Sequence, residues 1–144
     1  MSGLFALALG NLRVRRRSAF SSALGVGVGV ACLQAAKAMG ARVIGTSGSS
    51  AKLERLRSLG LDVGLKTRAA DFSDRVLEAT GGKGADLVVN NVGGSLFAEC
   101  VRCMNYKGRL ATVGYLDRTF TAEIDLNAIH AKRLRVFGVS ARYR

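Results

Sequence analysis

From Gly27 onward, short apolar runs of strand length alternate with helix-length segments, and this alternation restricts the fold more than any other feature of the chain. Parallel strands must be joined by long crossovers, usually helices, so the pattern predicts βαβ units around a parallel sheet. Val28 to Met39 reads as a helix rich in small residues, with Gly40 as its C-cap, and Ala41 to Thr46 as the strand after it. Ser49 or Ser50 can cap the next helix. In it Leu53, Leu56 and Leu59 share one face, Lys52, Glu54, Arg55 and Arg57 point away, and Gly60 ends the element before a short strand at Asp62 to Leu65.

Asp71 is placed to cap a third helix running to Thr80, with Phe72, Val76 and Ala79 or Thr80 inward and Gly81-Gly82 stopping it. Asp86 to Asn90 is the clearest buried strand. Ser95 can cap a fourth helix with Phe97, Cys100, Val101 and Met104 on its inner face. A strand at Arg109 to Val113, a short helix at Leu126 to Ala131 and a last strand at Leu134 to Val139 follow. The sum is an α/β fold: a doubly wound, Rossmann-like parallel sheet with helices on both faces. In the order 3-2-1-4-5-6 the first strand is central. Here its place falls to SAFSSAL, Ser18 to Leu24, in which Phe20, Ala23 and Leu24 are the largest apolar contributions, so that strand is expected to be poorly formed or replaced.

The 144 residues suit one domain, and 49% hydrophobic content with 18 glycines and no proline argues for a folded core. The formal charge of +12 would attract phosphate-bearing partners. Arg13, Arg15, Arg16 and Arg17 form an acid-free run, better read as a basic tail than as a nucleic-acid site. Three cysteines without a disulfide pattern imply a reducing, cytoplasmic setting. The alternative is mitochondrial, because residues 1 to 24 contain Arg and Ser but no Asp or Glu. Gly3 to Gly10 is too short to span a membrane, and no membrane role is expected.

Gly25-Val26-Gly27-Val28-Gly29 opens the first helix, where bare backbone could face a pyrophosphate at the positive end of the helix dipole. Its G-x-G-x-G spacing differs from the G-x-G-x-x-G fingerprint and is weak alone. The longer runs are more specific: VGVACLQAAKAMGARVIGTSGSSAKLERLRSLGLD, TGGKGADLVVNNVGGSLFAECVRC, KGRLATVGY and HAKRLRVFGVS. In this order they resemble the cofactor domain of the medium-chain dehydrogenase/reductase family, most of all its zinc-independent quinone-oxidoreductase branch. The resemblance covers residues 27 to 144 and implies an incomplete dinucleotide-binding domain there. Residues 1 to 26 form a non-family basic segment, expected to come from a shifted reading frame or a wrongly assigned start.

The family loop ends in Gly-Gly-Val-Gly where this chain has Val26, Gly27, Val28 and Gly29, so the Val26 side chain is expected to obstruct the pyrophosphate approach. After the second strand, Gly45-Thr46-Ser47-Gly48-Ser49-Ser50 carries no carboxylate for an adenosine ribose. Hydroxyls with Lys52 there favour NADPH over NADH, and the resemblance points the same way. Ser47 is the nearest small donor; Lys52 matches a phosphate-binding lysine of the family and is otherwise an ordinary exposed helix residue. Lys66-Thr67-Arg68 stands where the family often has Asn-Tyr-Arg, which removes a stacking tyrosine and leaves Arg68 able to reach phosphate.

Asn91 and Val92 after the Asp86 to Asn90 strand, and Gly114 and Tyr115 one strand later, fall at the carboxyl edge where open α/β sheets bind ligands. The resemblance assigns Phe137, Gly138 and Val139 to the backbone that meets the nicotinamide amide. It also implies hydride transfer from NADPH to a quinone or an α,β-unsaturated carbonyl held against another domain, and pairing of two copies through the last strand. Without that other domain, this chain reads as an inactive fragment with no catalytic residue.

Cys100-x-x-Cys103 lies within a helix and reads as core, and the single histidine, His130, has no nucleophile pattern near it. No metal site is expected. The alternative functions are a basic, non-catalytic protein that binds nucleic acid or an acidic partner, and an inert truncated product.

Overall fold

The computed structural model describes residues 18–22 and 26–140, with 18–22 and 26–28 described by their backbone alone. Six strands, β1 (Ser18–Ser22), β2 (Arg42–Ser47), β3 (Val63–Lys66), β4 (Ala85–Asn90), β5 (Met104–Thr112) and β6 (Arg135–Gly138), form one sheet. Its order is β3-β2-β1-β4-β5-β6, and every pairing is parallel. The described helices are α1 (Val26–Ala38), α2 (Ser50–Ser58), α3 (Ser73–Ala79), α4 (Phe97–Arg102) and α5 (Leu126–Lys132).

The polar stretch SAFSS does fill the central slot. Phe20 aligns with Ile44 on one side and Val88 on the other, so neighbouring strands use backbone groups that an empty slot would leave bare. The Arg13 to Arg17 run, the Gly3 to Gly10 stretch, Ala23, Leu24 and Gly25 lie outside the described residues, as does the Val26 side chain.

Side chains alternate across the pleat, which gives β2 and β4 two buried faces. On one face Ile44, Val88 and Leu110 join Phe72 and Val76 of the α3 region and Cys100 and Val101 of α4. On the other, Val43 and Leu87 join Leu33 and Ala36 of α1 and Leu53 of α2. The helices therefore lie on both faces.

Several sequence expectations need correction. Leu59 is the C-cap of α2 and is exposed rather than inward. Asp71 does not cap α3: its Oδ1 accepts from the Thr67 hydroxyl, and the Ser73 amide at the start of α3 donates to the buried Glu99 carboxylate. Ser95 does not cap α4, because Ser95 N–H and O–H both donate to Asp117 and a 3₁₀ turn over Gly94–Leu96 precedes the helix. Met104 begins β5 instead of ending α4, and β5 starts five residues earlier than the pattern at Arg109 indicates.

Asp62 ties α1 to the sheet. Its carboxylate accepts from Val43 N at 2.7 Å and from Lys37 Nζ at 2.9 Å, while its own amide donates to the Val43 carbonyl. Burial alone would raise this carboxyl, but the Val43 amide and Lys37, with Arg42 nearby, hold it below the ordinary value of 3.8. The resulting stabilisation is present above 3.8 and is lost as pH falls through the lowered folded value. Thermal melts between about pH 5 and about pH 2 are expected to show a shallower acid loss in Asp62→Asn than in the parent chain. An unchanged slope would remove Asp62 from the acid transition.

Candidate functional site

In a parallel sheet all carboxyl ends point one way, so one edge collects the loops that follow the strands. Three clusters of the expected residues gather along it. The first is at α1, which begins at Val26, so Gly27, Val28 and Gly29 lie inside its first turn rather than in the loop ahead of it. Amides of a first helical turn lack intrahelical partners and face outward along the axis, as an anion requires.

The second cluster surrounds Gly48 after β2. Ser47 is buried, and its Oγ accepts from the Ser49 amide at 3.2 Å. Ser49 caps α2 by accepting from Lys52 N at 3.4 Å, which settles the choice between Ser49 and Ser50. Thr67 N donates to the Ser47 carbonyl and brings the end of β3 alongside. The Arg68 side chain then lies across Gly48: a Cβ placed on Gly48 would come within 2.2 Å of Arg68 Cγ and Nε. The missing Cβ of Gly48 thus lets the Arg68 stem lie against the backbone. The structure thus brings the Arg68 side chain against the turn that carries Ser47 and leads into Lys52. Sequence reasoning found these residues but not the contact that seats Arg68.

The third cluster joins the exits of β4 and β5. Asn90 is fully buried; its Oδ1 accepts from Val92 N at 3.0 Å and Gly93 N at 3.1 Å, and its Nδ2 donates to the Gly93 carbonyl at 2.9 Å. These bonds hold Asn91 and Val92 in a tight turn beside Gly114, whose missing Cβ would sit 3.2 Å from the Asn91 carbonyl. Val92 O accepts from Asp117 N, and Gly94 N donates to Thr119 O, so the loop after β5 is stitched to the loop after β4. The Asp117 side chain accepts from both Ser95 donors and from Thr119 N. Desolvation is the largest single influence and opposes its charge, but the hydrogen bonds from Ser95 and Thr119 together outweigh it and hold its carboxyl below the ordinary value.

Tyr115 is half exposed and meets the Phe120 ring at 5.2 Å between centroids. Under this pair lies an open cleft of about 270 Å³, lined by Phe97, Thr112, Tyr115, Phe120, Thr121 and Ile124 among others. Gly138 aligns with Thr112, and Val139 N donates to the Thr112 carbonyl, which brings Phe137, Gly138 and Val139 to the same edge. Asp117 and the cleft were missed from sequence because their partners are distant along the chain.

Cys100 and Cys103 are buried against the sheet. Burial and the Glu99 carboxylate push Cys103 up to about 12, and burial also raises Cys100 well above an ordinary thiol. Neither is poised as a thiolate, and among the described residues no three His, Cys, Asp or Glu side chains converge as metal ligands. No described helix is long and apolar enough to cross a membrane.

Residues 27–144 match the family model described as zinc-binding dehydrogenase. The chain is 37% identical over 121 residues to a phenolphthiocerol/phthiocerol polyketide synthase of Mycobacterium tuberculosis, a match covering 84% of this chain and 6% of that protein. Among solved structures it is similar to an NAD-dependent alcohol dehydrogenase, with 33% identity and a TM-score of 0.82, covering 94% of this chain and 39% of the other. It is also similar to mycobacterial Rv1454c complexed with NADPH, with 27% identity and a TM-score of 0.82, covering 96% and 44%. The chain thus spans less than half the length of each of these proteins.

Proposed function

The chain belongs to the zinc-binding dehydrogenase family, within the medium-chain dehydrogenases/reductases, and on that premise we propose that it is the NADPH-binding domain of a quinone- or enone-reducing enzyme. Zinc has no part in this reading. The candidate thiols are buried and protonated, so the described donors do not fit the metal.

The observation that carries the nucleotide choice is the Arg68 side chain laid over Gly48, in a turn from Gly45 to Ser50 that carries Ser47, holds no carboxylate and leads into Lys52. A guanidinium, an ammonium and hydroxyls suit a 2′-phosphate, whereas an acid at this point would select the free ribose. Gly27, Val28 and Gly29 would meet the pyrophosphate. Asn91, Val92, Gly114 and Tyr115 would line the nicotinamide ribose and ring, and the backbone of Phe137, Gly138 and Val139 would meet the nicotinamide amide. Bound NADPH supplies a hydride. The chain's own residues orient the nucleotide and shield one side of it, and none of them moves a proton. In this reading the chain alone binds nucleotide without turnover, is cytoplasmic, and pairs with a second copy through β6. That strand is an edge with exposed Arg135 and Val136.

Titration with NADPH, followed by thermal midpoint and nucleotide fluorescence, is expected to show saturable stabilisation that exceeds that given by NADH. Arg68→Ala is expected to weaken NADPH about tenfold while leaving NADH nearly unchanged, the loss of one charge-assisted contact. Gly48→Ala should act in the same direction by displacing Arg68. Equal binding of both nucleotides, or none by a folded sample, would overturn the assignment.

A further inference from the structure

The amino ends of β5 and β6 form the edge of the sheet opposite the candidate nucleotide site. Two stretches without Asp or Glu meet there: residues 100–116, with Arg102, Lys107 and Arg109, and residues 126–140, with Lys132, Arg133 and Arg135. Pairing of β5 with β6 sets Arg109 against Arg135. Tyr106 is half exposed, with Lys107 Nζ 5.5 Å from its ring centroid and the Arg133 guanidinium carbon 6.0 Å from it. Lys107, inside β5 where its pairing with β4 shifts register, and Arg133, the C-cap of α5, both take left-handed backbone angles, φ 59° and 51°.

Not all of this charge is available. Arg102 pairs with Glu99 at 2.6 Å and lies 3.7 Å from Asp74, and Lys132 donates to the carbonyls of Arg102 and Met104. Asp86 approaches through Asn105, whose Nδ2 donates to it at 2.8 Å. The surplus at the Tyr106 ring is carried by Lys107 and Arg133.

We propose that this end of the sheet docks a carboxylate-rich segment of a partner protein, with Tyr106 as the contact surface and Lys107 and Arg133 as its charge partners. Tyrosine and arginine are enriched at protein interface centres. Two surplus cations fall short of the roughly 6–10 phosphate contacts of a nucleic-acid site with a strong salt dependence. The inference stands apart from the nucleotide reading, because Tyr106 lies near the amino end of β5, before its regular pairing from Arg109 onward, and the carboxyl edge is at Thr112.

A labelled oligoglutamate peptide, titrated against the full chain by fluorescence anisotropy, tests it. Binding is expected to be saturable, to weaken with salt, and to fall at least about fivefold in Lys107→Glu/Arg133→Glu. Tyr106→Ala, which removes the ring and leaves the charges, serves as a second variant expected to weaken binding as well, and circular dichroism confirms folding of each. Arg55→Glu/Arg57→Glu on α2 changes net charge equally and is expected to leave most of the affinity. Equal loss in the α2 variant would reduce the effect to overall charge and overturn the site. So would binding of a DNA oligonucleotide more tightly than the peptide with the same dependence on Lys107 and Arg133.

Discussion

Phe72→Ala is expected to lower the unfolding free energy by about 4 kcal/mol, the largest effect of any single side-chain truncation considered. Phe72 has no exposed surface and belongs to one apolar cluster with Ile44 of β2, Leu65 of β3, Val76 of α3, Val88 of β4 and Cys100 of α4. Truncation to Cβ removes an aromatic ring from between five elements, and a β-sheet with both faces covered has little freedom to collapse into the void. Phe72→Leu keeps most of the volume and is expected to cost about 1 kcal/mol. Urea unfolding measures both. A Phe72→Ala loss no larger than that of Phe72→Leu would mean that the site closes around the gap.

Gly84→Ala is expected to cost about 3 kcal/mol and to lower the thermal midpoint by about 10 °C. Gly84 has a φ of +85°, and a Cβ there would come within 2.7 Å of the Cys103 carbonyl oxygen and 2.8 Å of Asn105 N and Met104 C. Those are backbone atoms, which cannot swing aside. The next amide, Ala85 N–H, donates to the same Cys103 carbonyl at 2.8 Å, so displacement would also disturb the start of β4. Gly81→Ala is the informative comparison. Its φ is +63° but nothing lies within 4 Å, so it should show only the left-handed backbone cost of about 1 kcal/mol. Similar losses at both positions would show that steric contact is not what fixes glycine at Gly84.

Much of the architecture was legible because it rests on local patterns. Gly40 closes α1 with a positive φ, Ser49 caps α2, and the apolar run ending at Asn90 is a buried strand. The misreadings share one cause. Asp71 and Ser95 have good N-cap chemistry, but Glu99 and Asp117, each more than twenty residues away, take over the donors concerned. Local propensity could not reveal that competition. SAFSS gave little apolar signal, yet a central parallel strand is held through backbone groups that every residue except proline supplies. Within the candidate site, Ser47, Lys52 and Arg68 could be found along the chain. The approach of Arg68 to Gly48 could not, since it depends on the register of β2 with β3, which aligns Ser47 with Lys66.

The position of β1 also governs how such a chain can be made. The central strand is the first to leave a ribosome, and although β2 follows soon after, its other neighbour is β4, with Ala19 aligned to Leu87. At roughly 5–20 residues per second, several seconds separate the appearance of one side of that ladder from the other. Throughout that interval the strand has one bare flank, and because every pairing is parallel no hairpin can shelter it. The middle of the sheet is therefore both its earliest-synthesised part and the one that waits longest for its second partner, which makes timing during translation a property of this topology rather than of its surface.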